Sequence, residues 1–315
     1  MDALRGCSIL VTGANGFVGR HLCPVLRNNG CVVHAVGRKI LMDSFYYSCD
    51  LRDKTKISLL LQELAPDYVI HLATVKKRDG ISLSDYRLFY EENFITSLNL
   101  IEACDQVKTV RRFIYLGSCE EYGVQQSPFK ETQKEMPLSA YGVSKLAVTQ
   151  LLQSLVNSSH FSSVVLRPSL IYGPGQRHDM FLPAMLYSLI HEKFFDMTHG
   201  VQTRDYIYID DVVRAIISSL CFDLDNKVEI MNISSAQPIL IKSLALMSAQ
   251  LIGNNSEQYL NFGAKAYRPQ EAMEYSAENH RAKIKLNFSP EVALADGLLR
   301  TIESIRNSEC LTYAS

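Results

Sequence analysis

A tyrosine and a lysine stand four residues apart in the segment at residues 141–145, YGVSK. On a helix this spacing puts both side chains on one face. A nearby ammonium group favours the ionised form of a phenol, so it lowers the phenol pKa toward a value useful for proton exchange with a substrate hydroxyl. The pair therefore indicates general acid/base catalysis by Tyr141, with Lys145 tuning it.

A second set of polar residues follows the apolar, strand-like run at residues 112–116, in the segment GSCEEYG at residues 117–123. Ligands of α/β proteins bind at the carboxyl ends of the strands, so Ser118 is expected at that edge of a sheet. We therefore take Ser118 as a candidate catalytic residue.

Three glycines, Gly13, Gly16 and Gly19, occur at three-residue spacing between a strand-like run and a helix-like run. Glycine permits the tight turn, lets backbone N–H groups approach a pyrophosphate and lets the helix pack closely on the sheet. The strand-turn-helix context predicts a dinucleotide site here. The cofactor contacts predicted in this turn are Gly13, Asn15, Gly16, Phe17, Val18 and Gly19.

The end of the second strand-like run reads Ala-Val-Gly-Arg-Lys at residues 35–39. An NAD enzyme normally offers a carboxylate there to the adenosine ribose. A guanidinium instead forms bidentate, charge-assisted bonds with a 2′-phosphate. Arg38 and Lys39 therefore favour NADP(H), with NAD(H) as the possible alternative.

Strand-like and helix-like runs alternate in the first half of the chain, which is typical of a parallel doubly wound sheet. This predicts a Rossmann-type α/β fold with a smaller C-terminal substrate-binding lobe. The dinucleotide-binding domain is expected at residues 1–172 and roughly 201–235, and the lobe at 173–200 and roughly 236–315. Strands are predicted at residues 8–11, 32–36, 68–72, 112–116 and 164–166, and helices at 16–28, 86–107 and 140–154.

The ordered set of glycine turn, strand-end serine and Tyr/Lys helix resembles the extended short-chain dehydrogenase/reductases, the NAD(P)-dependent nucleotide-sugar epimerase/dehydratase group. Further matches extend over nearly the whole chain. They are Asp50 with Leu51, the run of His71, Leu72 and Ala73, Asn93, the segments at 167–169 and 172–175, the segments at 202–206 and 210–212, and the segment at 268–271.

The resemblance implies a role for each matched residue. Ser118 would hydrogen-bond the reacting oxygen, Tyr141 would be the general acid/base, and Lys145 would also hold the nicotinamide ribose. Arg204 and Arg268 would bind the diphosphate of a nucleotide-sugar substrate, and guanidinium groups suit phosphate oxygens. Glu271 would bind the nucleotide ribose, and the remaining cofactor contacts would be Asp50, Leu51, Leu72, Ala73, Asn93 and Pro168. In much of the family the helices at 86–107 and 140–154 pair across a homodimer.

Two positions depart from the family pattern. An asparagine that faces the substrate phosphates is replaced by Leu170. The Asp-Glu pair with which 4,6-dehydratases eliminate water is replaced by Cys119 and Glu120.

The family supports several reactions, so its fold does not fix the function. The Arg38–Lys39 segment and the likeness of GSCEEYG to the GSSEEYG of 4-keto-sugar reductases favour a nucleotide-sugar 4-ketoreductase. A 5,6- or 4,6-dehydratase using Cys119 and Glu120, or a 4-epimerase, is the alternative. A cofactor-binding regulatory subunit is the hypothesis from another class.

Composition limits the partners. Lys and Arg number 32 against 33 Asp and Glu, a net charge of -1 that argues against nucleic-acid binding through a large basic surface. The 8 cysteines show no C-x-x-C pair and no metal-ligand spacing, so we expect reduced thiols and no metal. Without a signal-peptide pattern or an apolar run long enough to span a membrane, a cytoplasmic protein is expected.

Overall fold

The computed structural model describes residues 4–39, 45–76, 82–224 and 226–312, with side chains as far as residue 307. Its strands are β1 (Ser8–Thr12), β2 (Val32–Gly37), β3 (Tyr46–Ser48), β4 (Tyr68–His71), β5 (Arg112–Leu116), β6 (Ser162–Pro168), β7 (Leu170–Tyr172), β8 (Phe195–Met197), β9 (Thr203–Arg204), β10 (Tyr206–Tyr208), β11 (Val228–Ile233), β12 (Ile239–Leu240) and β13 (Leu260–Phe262).

Seven of these strands form one parallel sheet in the order β11-β6-β5-β4-β1-β2-β3. The winding direction reverses between β1 and β4, which is the switch point where doubly wound sheets bind ligands. The predicted Rossmann-type fold is confirmed. The five predicted strands correspond to β1, β2, β4, β5 and β6, with ends displaced by two residues at most.

The helices flank the sheet or pack in the C-terminal part of the chain. They are α1 (Phe17–Asn28), α2 (Lys54–Leu64), α3 (Leu83–Phe89), α4 (Thr96–Gln106), α5 (Ala140–Ser154), α6 (Phe181–Ile190), α7 (Ile209–Cys221), α8 (Ile241–Ile252), α9 (His280–Leu286) and α10 (Leu294–Thr312).

Two of the three predicted helices match closely. The helix predicted at 140–154 has those bounds, and Ser139 caps it by accepting the backbone N–H of Gly142. The helix predicted at 16–28 begins one residue later, with Gly16 at the N-cap. The one predicted at 86–107 is divided: α3 and α4 are joined by a π-helical turn, Tyr90–Ile95.

Both faces of the sheet are buried, as in other parallel sheets. Alternate residues of β1 point into different cores, with Ile9 and Val11 on one side and Leu10 on the other. The first core includes apolar residues of α1 and α7, and the second includes residues of α2, α4 and α5. This arrangement explains why the strands read as continuous apolar runs and not as alternating ones.

Smaller sheets follow the main one along the chain: β7 pairs with β10, β9 with β12 and β8 with β13. The late strand β11 lies beside β6 at the edge of the main sheet. The domain boundaries given above stay a prediction. Within the described residues, no disulfide joins the cysteines and no helix has the length and apolar character needed to cross a membrane.

Candidate active site

The turn from β1 to α1 is packed too closely for side chains. Gly13 has a φ of 67°, in the left-handed region that favours glycine, and a β-carbon there would lie 2.6 Å from the backbone nitrogen of Ala73. A β-carbon at Gly19 would lie 2.5 Å from the carbonyl oxygen of Gly13. The first turn of α1 carries no acidic residue, so its N–H groups suit an anion. The turn therefore fits a dinucleotide pyrophosphate.

Other predicted cofactor residues surround this turn. Asn15 donates its amide to the hydroxyl of Tyr46 on β3, at 2.7 Å. Phe17 and Val18 begin α1 and pack partly against the core. Leu51 is buried after β3, and its carbonyl accepts an amide N–H from Asn99 at 2.9 Å.

At the end of β2, where the sequence predicted only the cations Arg38 and Lys39, the structure shows a network of ion pairs. Arg38 pairs with Glu92 at 3.0 Å, and Lys39 is exposed. Arg52 pairs with the same Glu92 at 2.9 Å and with Asp50 at 2.5 Å. Hydrogen bonding to Arg52 lowers the pKa of the Asp50 carboxyl. Arg52 and Glu92 were not predicted as members of this network, because Glu92 is 40 residues from Arg52 and 54 residues from Arg38 in the sequence.

The π-helical turn places Asn93 between the cofactor region and α5. Its side-chain oxygen accepts the backbone N–H of Val75 at 2.7 Å, and its amide donates to the hydroxyl of Ser144 at 3.0 Å. Leu72 and Ala73 follow β4 at the same edge of the sheet, and Ala73 donates to the Thr12 hydroxyl at 3.3 Å. This network connects the cofactor side of the sheet with the helix that carries Tyr141.

The predicted catalytic residues converge at the carboxyl edge of β5. Ser118 is the N-cap residue of the short 3-10 turn Cys119–Tyr122, and its side chain is one of the groups that oppose the effect of burial on the pKa of Tyr141. Lys145 donates to the carbonyl of Leu116 at 2.8 Å, with its ammonium 5.7 Å from the centroid of the Tyr141 ring. The structure thus brings Ser118, Tyr141 and Lys145 together.

The pKa of Tyr141 differs from the sequence-based expectation. Burial raises it to about 12, and the largest opposing influence is the positive charge of Lys76. Burial also lowers the pKa of Lys145 to about 7, which weakens the expected effect of this ammonium on the phenol. In the cofactor-free protein at neutral pH, Tyr141 is therefore a protonated phenol.

Lys76 is a site residue that the sequence did not reveal. Its ammonium lies 4.7 Å from the centroid of the Tyr141 ring and 2.6 Å from the carboxylate of Glu120. The other oxygen of Glu120 accepts the Ser139 hydroxyl at 3.1 Å. Lys76 therefore lies close to both Glu120 and Tyr141, which places the Glu120 carboxylate near the catalytic residues. Lys76 follows β4 without a recognisable spacing relative to Tyr141, so no motif pointed to it.

Cys119 does not face this site, contrary to the dehydratase alternative. Its side chain is fully buried among Tyr122, Phe129 and Ala277. The thiol donates to the carbonyl of Arg167 at 3.3 Å, and burial raises its pKa well above the usual value. The 3-10 turn directs Cys119 inward while Glu120 stays at the centre, so an acid/base pair of these two residues is not formed.

We expect Cys119→Ser to leave kcat within about threefold of wild type, because a hydroxyl can make the same hydrogen bond to the backbone. Steady-state kinetics on the purified variant would measure this, with Glu120→Gln as the comparison from the same turn. A hundredfold loss of kcat in the Cys119 variant alone would show that the thiol takes part in the reaction.

The predicted substrate residues lie in the later part of the chain. Arg204 forms a short ion pair with Glu271, donates to the carbonyl of Ala272 at 2.8 Å, and lies 6.0 Å from the ring centroid of Tyr275. Arg268 is exposed, and its carbonyl accepts the N–H of Glu271 at 3.1 Å. The structure therefore brings Arg204 and Glu271 together, with Arg268 on the same loop. Pro168 is buried at the end of β6.

The chain is similar to known proteins over most of its length. Residues 9–234 match the model of the NAD dependent epimerase/dehydratase family. A UDP-glucuronate 4-epimerase of Thermodesulfobacterium geofontis is 28% identical, over 93% of this chain and 94% of its own. The human dTDP-D-glucose 4,6-dehydratase is 26% identical, over 95% of this chain and 90% of its own. The structure of the UDP-glucuronic acid 4-epimerase from Bacillus cereus, in complex with UDP-glucuronic acid and NAD, has a TM-score of 0.86 and 29% identity, over 95% of this chain and 99% of that one.

Proposed function

Because the chain belongs to the NAD dependent epimerase/dehydratase family and is an enzyme, not a regulatory subunit, we propose that it transfers hydride at C4 of the sugar in a nucleotide-diphosphate hexose. The net reaction that we propose is reduction of a 4-keto group. The observation that carries the proposal is the convergence of Ser118, Tyr141 and Lys145 at the carboxyl edge of the parallel sheet, the edge that also carries the glycine turn.

The side chains have complementary parts in this reaction. A bound nicotinamide supplies the hydride. Tyr141, protonated at neutral pH, gives its proton to the keto oxygen, and Ser118 hydrogen-bonds that oxygen. Lys145 holds the ribose and offsets the negative charge left on Tyr141. Arg204 and Arg268 would bind the diphosphate of the substrate. Arg204 would have to give up its ion pair with Glu271 to do so, and Glu271 would then bind the nucleotide ribose.

The cofactor that we propose is NADP(H), with NAD(H) possible. In support, the described residues that end β2, at positions 37–39, carry no carboxylate of their own, and Arg38, Lys39 and Arg52 lie near that end. A 2′-phosphate would displace Glu92 as the partner of the two arginines. The B. cereus epimerase was solved with NAD, so this preference would set the chain apart from that relative.

Arg38→Ala should weaken NADPH binding by about tenfold and leave NADH binding nearly unchanged, since a charge-assisted hydrogen bond contributes roughly 1.5 kcal/mol at an exposed site. Glu92→Gln should strengthen NADPH binding, because it removes the carboxylate that Arg38 and Arg52 share and that a 2′-phosphate would have to displace. Cofactor fluorescence titration measures these affinities. Arg111→Ala is the control, because Arg111 is also an exposed arginine in an ion pair, with Asp67. Equal affinities of the wild type for NADPH and NADH would remove the preference.

A 4-epimerase using NAD is the second candidate. It is favoured by the similarity of the chain to the UDP-glucuronate 4-epimerase of T. geofontis and to the NAD-bound 4-epimerase of B. cereus. The two functions differ in stoichiometry. A reductase oxidises one NADPH for each product molecule, whereas an epimerase inverts C4 without net use of cofactor.

One assay distinguishes them. The protein is incubated with NADPH and 4-keto-6-deoxyhexoses carried on UDP, dTDP, GDP and CDP, and separately with UDP-glucose and UDP-glucuronic acid without added cofactor. We expect NADPH oxidation in the first set and no C4 inversion in the second. Inversion without NADPH oxidation would replace the reductase by the epimerase, and no reaction in either set would contradict both.

We also propose a homodimer formed through α3, the π-helical turn, α4 and α5. In support, these elements expose apolar side chains at Tyr90 and Val143, and the rings of Tyr90 and Phe94 stack at 5.2 Å.

A charge at this surface is expected to separate the subunits. Val143→Glu should convert a dimer of about 71 kDa, twice the chain mass of 35.5 kDa, into a monomer, because it would bury an unpaired carboxylate. Light scattering at micromolar concentration measures the mass. Leu59→Glu on α2, at a side chain 60% exposed, is the control. A monomeric wild type would contradict the proposal.

A further inference from the structure

A fully buried ion pair lies directly beneath the reaction centre. The Nη2 atom of Arg167, on β6, is 2.8 Å from an oxygen of Glu121, and neither side chain has any exposed surface. The Nε atom of Arg167 donates to the same oxygen at 2.9 Å. A β-carbon at Gly117 would lie 2.5 Å from the other oxygen, so a glycine there leaves room for the carboxylate.

Glu121 also contacts both elements that carry the reacting groups. Its Oε1 atom accepts the backbone N–H of Ser118 at 2.9 Å. Its Oε2 atom accepts the hydroxyl of Thr149 at 2.9 Å, and the same hydroxyl is 3.3 Å from the backbone carbonyl of Lys145. One carboxylate thus connects the serine turn with α5.

Stability alone is a weak explanation for this pair. Removing two charges from water carries a desolvation cost that their attraction often fails to recover, and apolar residues of similar volume frequently serve a core as well or better. This buried pair lies immediately below Ser118, where a fixed charge shifts the pKa values of the groups that transfer protons.

We propose that Glu121 is a positioning residue of the reaction centre: its carboxylate, held by Arg167, fixes the backbone at Ser118 and supplies a buried negative charge that favours the ammonium form of Lys145. The inference rests on the proposed function in taking Ser118 and Lys145 as reacting groups.

The electrostatics of Lys145 agree with this role. Burial lowers the pKa of Lys145, and the largest opposing influence is the negative charge of Glu121. Lys76 lowers it further and Glu120 raises it. The remaining titratable neighbours are the phenol of Tyr141, the ring of Tyr115 on β5 at 4.8 Å from the ammonium, and His71 on β4, which burial keeps neutral. With Glu121 present, burial already lowers the pKa of Lys145 to about 7, and without the charge of Glu121 the pKa would fall further, so that Lys145 would be a neutral amine at neutral pH.

Competitive labelling of the full chain tests the inference without any substrate. The purified protein, with its cofactor content measured, is treated with a trace amine-reactive reagent from pH 5 to 10, and labelling of Lys145 is quantified by mass spectrometry. The variants are Glu121→Gln and, as the matched control, Glu135→Gln, which removes the other carboxylate paired with Arg167, at 2.7 Å.

We expect Glu121→Gln to move the labelling midpoint of Lys145 down by at least about one pH unit, which is about tenfold more neutral amine on the acidic side of both midpoints. Glu135→Gln should leave the midpoint where it is in the wild type. If Glu121→Gln does not fold, the double variant Glu121→Gln/Arg167→Met, which leaves no orphan charge in the pair, should show the same displacement.

Each other outcome overturns the inference. An unchanged midpoint in the folded Glu121 variant would limit Glu121 to a structural role, and so would equal displacements in the two carboxylate variants. Failure of both Glu121 variants to fold would have the same meaning. Because the labelling needs no substrate, a displaced midpoint with an inactive substrate panel would reject the proposed function and leave the positioning role intact.

Discussion

Replacing Tyr141 by phenylalanine is expected to lower kcat by about a thousandfold or more, within the range of a lost general acid. The ring would keep its place beside Phe89, with centroids 6.2 Å apart, so only the proton donor is removed. Cofactor affinity should stay within about threefold, since an oxygen that serves the transition state contributes little to ground-state binding.

Steady-state kinetics and cofactor titration on the same preparation measure both effects. Tyr68→Phe is the matched control, because Tyr68 begins β4 and so lies at the end of the sheet opposite the reaction centre. Retention of more than a few per cent of wild-type kcat by Tyr141→Phe would show that another group moves the proton. Glu120 and Lys76 would be the first to examine.

Lys145→Met should have the second largest effect, lowering kcat by about a hundredfold and weakening cofactor binding by about tenfold, because it removes both a charge and a charged hydrogen bond. This double effect separates it from Tyr141→Phe. Lys227→Met is the control, since Lys227 also donates to a backbone carbonyl, that of Ser159 at 2.6 Å. Loss of kcat with unchanged cofactor affinity would contradict ribose binding by Lys145.

The same variant should be more stable than the wild type when no cofactor is bound. Burial lowers the pKa of Lys145 from 10.5 to about 7, so the unfolded chain binds more protons between these values. Lys145 therefore lowers the free energy of unfolding of the wild type. This destabilisation is absent above pH 10.5, grows as the pH falls, and is complete below about pH 7. The difference in melting temperature between Lys145→Met and wild type should therefore widen as the pH falls through this window.

Local patterns predicted the parts of the fold that depend on local physics. The bounds of α5 follow from Ser139 as its cap and from apolar spacing, and the glycine turn follows from its flanking strand and helix. The π-helical turn at Tyr90–Ile95 was missed, because one wider turn hardly alters helical periodicity. The edge strand β11 was missed because its partner β6 lies about 60 residues earlier.

The site was predicted where motifs carry it and missed where distant segments meet. Ser118, Tyr141 and Lys145 come from recognisable motifs. Arg38 was identified correctly as a cation at the end of β2, but its pairing with Glu92 across 54 residues has no sequence pattern. Cys119 adjoins Ser118 in sequence, yet a single step along the 3-10 turn is enough to direct it into the core.

Hydride transfer to C4 of a nucleotide-linked sugar is tested most directly with NADPH deuterated on the transferable position of the nicotinamide. The protein is incubated with the 4-keto-sugar nucleotides, and the product is analysed by NMR and mass spectrometry. We expect one deuterium per product molecule, at C4 of the sugar, and none with Tyr141→Phe. Deuterium at another carbon, or its transfer at an undiminished rate by Tyr141→Phe, would contradict it.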